Sequence, residues 1–393
     1  MQNRPLVSHP VFGSTSARAG DLVYLRGMDA SGPAGRMAHP GDATAQAAAA
    51  FTKIESELAR LGGGLDDIVD VVVLVKDPRA IEPIWSAGFG ASDIRGAAWT
   101  LAAVTSFEHP DALVSIKAIA HLGDEERVVA TPDAQSWRSR YAGSAVVRAG
   151  TYVFVSGQFG LDHTGLASVP RLHIPQARRA YEHLLECLDA VGASLSDALD
   201  FTSFHEDIRG AEPTLSTVYI PELLAGVDPL EAPTTSHLGA TGLAAPGFLS
   251  TFRVVADISA GKRIDSTPDS IWWKGVYPIA GAAKKEGGRL ITVAGQVACN
   301  PDASVYAEGD PFAQAEYIWN SMEESLAGFG ATLANVVEIT SYHKDLRALP
   351  EVIAAAEARF TGPGLPAWTA TAVPGLWMEG YLHEIAAIAY LPE

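Results

Sequence analysis

Apolar residues recur along this chain at the spacing of one helical face, and they do so three times. Phe51, Ile54, Leu58 and Leu61 form the first series, Tyr181, Leu184, Leu188 and Val191 the second, and Trp319, Met322, Leu326 and Phe329 the third. Each i, i+3, i+7, i+10 series predicts an amphipathic helix. Each ends at a glycine, Gly62, Gly192 or Gly330, where a left-handed residue is expected to close the helix. Strand-like runs flank the helices. Residues 22–26, 152–156 and 290–294 precede them, whereas Ile68–Val75, Ala198–His205 and Val336–His343 follow and stop at Asp77, Asp207 and Asp345. A more weakly patterned helix is predicted near 79–90, 211–224 and 348–360, and closing strands end at 112–120, 248–256 and 381–389. The order strand, strand, helix, strand, helix, strand, strand describes an α+β sandwich with helices on one sheet face.

The repetition is a register, not only a pattern. Gly13, Gly20 and Gly27 recur as Gly143, Gly150 and Gly157 and again as Gly281, Gly288 and Gly295, at offsets of 130 and 138 residues. The same offsets carry Gln46 to Gln176 and Gln314, and Asp77 to Asp207 and Asp345. The chain is therefore read as a tandem triplication. A third of its 393 residues is 131, enough for each copy to bury a core. The copies are placed at 1–122, 136–258 and 270–393, with polar linkers near 122–140 and 258–275. Three such units string out as beads or close into a ring; closure is favoured if a single unit normally trimerises, because the linkers then only replace subunit contacts.

Composition narrows the function classes. With 48% hydrophobic and 19% charged residues the chain reads as soluble and globular. Its net charge of -18 repels phosphate backbones and anionic lipids, so neither nucleic acid nor membrane is expected as a partner. Residues 1–10 have no apolar h-region, and no run of 18 apolar residues follows. Cys187 and Cys299 fall at unrelated positions of their copies, which suits a reducing cytoplasm. No cofactor motif is found: the seven-residue glycine spacing is wrong for a nucleotide loop.

The segment VFVSGQFGL at 153–161 resembles the Ser-Gly-Gln strand end of the RidA (YjgF) family of enamine/imine deaminases. The Gln-Ala that opens each first helix, Lys76-Asp77, the Pro-Ala-x-Thr before the closing strands and the final Ala-Ile-Ala at 118–120 and 387–389 are similar as well. The resemblance spans all three copies. It implies three chorismate mutase-like domains forming an intramolecular pseudo-trimer around a central β-barrel, as a monomer or a dimer of pseudo-trimers, with small-molecule clefts between domains. It also implies positions for an arginine that binds a substrate carboxylate and a last-strand glutamate that positions water. The arginine position falls on Trp99, Thr235 and Trp368, so no copy keeps it. The glutamate position falls on Ser115, Thr251 and Glu384, so only the third copy keeps it. The cleft tyrosine position falls on Gly13, Gly143 and Gly281, and the serine of Ser-Gly-Gln survives only as Ser156.

Candidate chemistry follows from these departures. Glu384, on a strand with apolar neighbours, is the expected acid/base, and a surface ion pair is its alternative. His237, after Thr234, Thr235 and Ser236, titrates in a range suited to proton exchange, and a satisfied core or rim histidine is its alternative. Trp368 and Trp99, with Trp272, Trp273 and Trp377, either line an aromatic pocket or fill the core. Thr235, Ser236 and Ser156 are the remaining candidates for substrate contact. His205 and His343 are read as strand-end histidines rather than metal ligands, and no metal site is expected. The expected activity is hydrolysis or deamination of an imine, enamine or related C–N bond without a cofactor. A chorismatase-like lyase or hydrolase and a non-catalytic binding protein are the alternatives.

Overall fold

A computed structural model describes residues 12–87, 96–162, 164–228, 231–244, 247–360 and 364–392. The first repeat comprises β1 (Ser16–Ala19), β2 (Leu22–Met28), α1 (Ala43–Arg60), β3 (Ile68–Val75), α2 (Ile81–Ala87), β4 (Ala98–Ala103), β5 (Ser106–Phe107) and β6 (Val114–His121). After β7 (Arg127–Ala130), the second comprises β8 (Val146–Ala149), β9 (Tyr152–Gln158), α3 (His173–Ala190), β10 (Ala198–His205), α4 (Ala211–Thr214), β11 (Thr234–Gly239) and β12 (Ser250–Asp257). After β13 (Arg263–Ser266), the third comprises β14 (Ala282–Lys285), β15 (Leu290–Gln296), α5 (Pro311–Ala327), β16 (Val336–His343), α6 (Leu349–Glu357), β17 (Ala367–Ala372) and β18 (His383–Tyr390).

Each repeat builds the same mixed five-strand order: β1-β2-β6-β3-β4, β8-β9-β12-β10-β11 and β14-β15-β18-β16-β17. In each, the strand after the long helix pairs in parallel with the strand after the short one. The long helices bury the face that the sequence pattern marks, with Ile54, Leu184 and Met322 fully enclosed. Gly62, Gly192 and Gly330 do adopt left-handed backbone, at φ 88°, 75° and 70°. The repeated glutamine also has a structural task. Gln46, Gln176 and Gln314 each accept the backbone N–H of Leu113, Leu249 or Leu382, which ties the long helix to the start of the last strand.

The structure differs from the sequence pattern in two places. The linkers are not merely polar spacers: β7 and β13 extend the second and third sheets, and 133–140 forms a 3-10 helix with Trp137 and Arg138 buried. The second helix runs to Ala87 in repeat one, where 88–90 lie outside the described residues, stops at Glu357 in repeat three, and in repeat two fills its expected span by passing from α4 into a π-helix at Leu215–Leu223 that carries Pro221. The hydrogen bonds define three sheets, and β5 of repeat one pairs with β17 of repeat three.

Each repeat touches both others. β4 packs on β9, β11 on β15, and β17 on β2. One hydrogen bond recurs at each junction: Gly157 N–H donates to Thr100 Oγ1 at 3.0 Å, Gly295 N–H to Ser236 Oγ at 3.1 Å, and Gly27 N–H to Thr369 Oγ1 at 2.8 Å. Where the sheets face one another, charge also passes between repeats. Lys117 pairs with Glu338 at 2.9 Å, and Arg253 with Asp70 at 2.6 Å. By strand register the third cation position is Ala386, and the third acid, Asp200, is instead bonded by the hydroxyls of Thr202 and Thr234. Burial pushes the Asp200 carboxyl above its ordinary range.

Removing one partner of a buried pair strands the other charge. Arg253→Met should destabilise the fold by about 3–5 kcal/mol, measured as a shift of the urea midpoint. Asp70→Asn combined with Arg253→Met should restore most of that loss.

Candidate active site at the junction of repeats two and three

The third glycine of each triplet sits directly against the last strand of its own repeat. A Cβ built on Gly27 would overlap the Ser115 hydroxyl, one on Gly157 would crowd the Thr251 hydroxyl, and one on Gly295 would overlap the Glu384 carboxyl. Glycine is required there by close approach, not by its dihedral freedom. Of the three equivalent last-strand positions, only Glu384 carries an ionisable group.

Glu384 faces a cavity between repeats two and three. It is lined by Leu215, Thr235, His237, Trp272, Trp273, Tyr277, Ile279, Gly295, Val297, Trp377 and Glu384. The carboxyl is only 3% exposed and accepts the backbone N–H of His237. Burial outweighs that hydrogen bond and pushes its pKa up to about 8, so it holds its proton at neutral pH. Burial drives His237 the other way, down to about 4, so its ring is neutral. His237 Nδ1 lies 2.7 Å from Ser203 Oγ, which in turn lies 2.9 Å from His205 Nε2. His237 Nε2 and Trp272 Nε1 are buried without a protein partner.

Aromatic rings form the remaining walls. Trp272 and Tyr277 meet at 87° with centroids 5.9 Å apart, Tyr277 and Trp377 at 75° and 6.5 Å, and Trp377 lies 5.3 Å from the His237 ring. Among the described residues, no lysine or arginine lines the cavity. Among the described residues, no group of three or more His, Cys, Asp or Glu is placed to hold a metal ion.

The junction of repeats one and two is filled instead. Counted from Asp77 and Asp207, Trp85 stands where repeat two has Leu215. Trp85 stacks on Tyr141 at 4.3 Å and meets Trp137 edge-on at 6.0 Å. Arg138 lies over the Trp137 ring and donates to Gly157 O at 2.7 Å. The smaller Leu215 leaves room where an indole closes the other junction.

Glu384, His237 and Thr235 thus share one cavity with Trp272, Trp273 and Trp377. The other sequence candidates lie elsewhere. Ser236 is spent on Gly295 N–H at the cavity's edge. Trp368 is buried in the core of repeat three, donating to Ser341 Oγ at 2.8 Å, and Trp99 packs on Phe51 in the core of repeat one. Ser156 is buried, accepting from Gln158 Nε2 at 3.1 Å. Ser203, Leu215, Tyr277, Ile279 and Val297 went unmarked by sequence. His205 does end its strand, but it also braces Ser203.

These features match known proteins. The model of a family described as Endoribonuclease L-PSP matches residues 3–122, 134–257 and 282–391, and the chain belongs to that family as a tandem RidA-like protein. A RutC family protein, YjgH of Escherichia coli (strain K12), is 31% identical over 107 residues, which is 27% of this chain and 79% of that protein. Protein DfrA of Myxococcus xanthus is 29% identical over 116 residues, 30% of this chain and 87% of that protein. A chorismatase crystal structure shares the fold across nearly its whole length, with a TM-score of 0.53, 16% identity, and coverage of 82% of this chain and 93% of that one. Together with the cavity, family membership supports a small-molecule-processing or small-molecule-binding role.

The raised Glu384 carboxyl has a stability signature. Between its ordinary 4.5 and about 8 the folded chain holds a proton that the unfolded chain has released, so stability falls as pH rises through that window. Glu384→Gln should therefore raise the thermal midpoint at pH 8 and leave it nearly unchanged at pH 4, as read by calorimetry. Gly295→Ala should lower the midpoint at both pH values, because it displaces the carboxyl and the Ser236 contact together.

Proposed function

We propose that the chain is a cofactor-independent hydrolase of an imine, enamine or related C–N bond. It works at the cavity between β11 and β15, with the three repeats closed as an intramolecular pseudo-trimer around a central barrel. The reading rests on one observation above the others: a buried carboxyl held protonated at neutral pH shares a cavity with a neutral imidazole whose Nε2 has no partner. The cyclic contacts of β4 with β9, β11 with β15 and β17 with β2 support the closed arrangement.

In this reading Glu384 gives its proton to the imine nitrogen, and the carbon becomes electrophilic. His237, with Nδ1–H turned to Ser203, takes a proton at Nε2 from the attacking water. The carbinolamine nitrogen then receives that proton from His237. The C–N bond breaks with its electron pair passing to nitrogen, the amine leaves, and the hydroxyl proton returns to Glu384. Imine and water are consumed; carbonyl and amine are released. Trp272, Tyr277 and Trp377 seat the hydrophobic part of the substrate.

The missing family arginine, replaced by Trp99, Thr235 and Trp368, also favours a second reading, in which the cavity binds a metabolite without converting it. The chorismatase-like reading has the shared fold behind it. The net charge of -18 likewise favours a small molecule over RNA.

Kinetics on a panel of carboxylate-free aryl imines separates these readings. Glu384→Gln should lower kcat/KM by about 10²–10⁴-fold with folding intact. For the unaltered chain, kcat/KM should stay level in the neutral range and fall about tenfold per pH unit above about 8, as the acid loses its proton. Full activity in the variant would reject the catalytic role. Retained ligand without turnover would favour the binding protein.

A further inference from the structure

The lining of the cavity specifies the charge of its ligand. Three features point the same way. The first is the absence, among the described residues, of any lysine or arginine from the wall, so no fixed positive charge is available to hold a carboxylate or phosphate. The second is the arrangement of the rings. Trp272, Tyr277 and Trp377 adjoin edge to face at 87° and 75°, with neighbouring centroids 5.9 and 6.5 Å apart, and all three line the cavity. Aromatic faces are negative and their edges positive, so a cation is drawn to the face of a lining ring, and the attraction strengthens where water is excluded. The third is Glu384, which ends against the same cavity and is the lining's one carboxyl group. An acidic protein surface, at a net charge of -18, concentrates cations at the entrance.

We infer that the cavity is built for an organic cation, an iminium or alkylammonium group held against Trp272, Tyr277 and Trp377 with Glu384 as its counter-charge, and that it rejects carboxylates. This deepens the hydrolase reading and rests on it for the choice of iminium: proton transfer from Glu384 to an imine creates a cation and a carboxylate together, each the other's counter-charge. The substrate class is then an imine derived from an amine that carries no carboxylate, and the amine leaves neutral and takes up a proton in water.

Binding measurements need no turnover, so they fail or succeed separately from the hydrolase reading. Choline and 3,3-dimethyl-1-butanol have nearly the same shape and differ in charge; benzyltrimethylammonium and benzoate supply a larger cation and an anion. By calorimetry at pH 9 and low salt, where Glu384 is ionised, choline should bind about tenfold or more tightly than its neutral analogue. Benzyltrimethylammonium should bind and benzoate should not. Trp272→Ala and Trp377→Ala should each remove most of the choline preference. Glu384→Gln should weaken choline while leaving the neutral analogue unchanged. Equal affinity for choline and its neutral analogue, tighter binding of benzoate, or unchanged choline affinity in Glu384→Gln would overturn the inference. Failure of every probe to bind would overturn it as well.

Discussion

The contact between the third glycine of each triplet and the neighbouring repeat holds this molecule in register. A backbone N–H at Gly27, Gly157 or Gly295 donates to a hydroxyl on a neighbouring repeat, and the missing Cβ lets the last strand of the same repeat come close behind it. The contact therefore fixes two things together: how the repeats meet, and where residues 115, 251 and 384 stand at the meeting point. Chemistry at the junction is decided by a single side chain, because the backbone frame around it is the same three times.

From that frame the three junctions diverge by volume and charge. Trp85, Trp137, Tyr141 and Arg138 close the first, whereas Leu215 leaves space at the second. An acid placed in that space among aromatic rings loses its water and keeps its proton. The same desolvation keeps His237 neutral. A single physical cause thus sets a proton donor and an acceptor side by side at neutral pH, which is the condition for acid/base work. The facing sheets show the converse. There Asp70 and Glu338 form ion pairs with cations from other repeats, while Asp200, opposite Ala386, is hydrogen-bonded by hydroxyls.

Much of the scaffold was legible in the sequence, because helix faces and strand runs are local and appear three times. The strands Ile68–Val75, Ala198–His205 and Val336–His343 coincide with the pattern residue for residue. Glu384 stood out by comparison of copies, since a lone carboxylate at a position held elsewhere by serine and threonine is visible without coordinates. Contacts set by distant pairing were not legible. Ser203 meets His237 only because β10 and β11 run parallel in that register, and nothing local to either strand reveals it. Spacing also does not separate Trp377, on the cavity wall, from Trp368, in the core, because both settings ask only for a large apolar ring. The linkers read as polar spacers, yet their tryptophans close one junction and wall the other.

The account depends on the protonation state of one carboxyl. Carbon-13 labelling of glutamate, with Glu384→Gln used to assign the signal, would follow that carboxyl by NMR or by its infrared carbonyl band as pH is raised. The structure calls for a titration midpoint near 8. A midpoint near the ordinary 4.5 would mean that Glu384 is ionised at neutral pH, and would contradict both the desolvated cavity and the role of acid assigned to it.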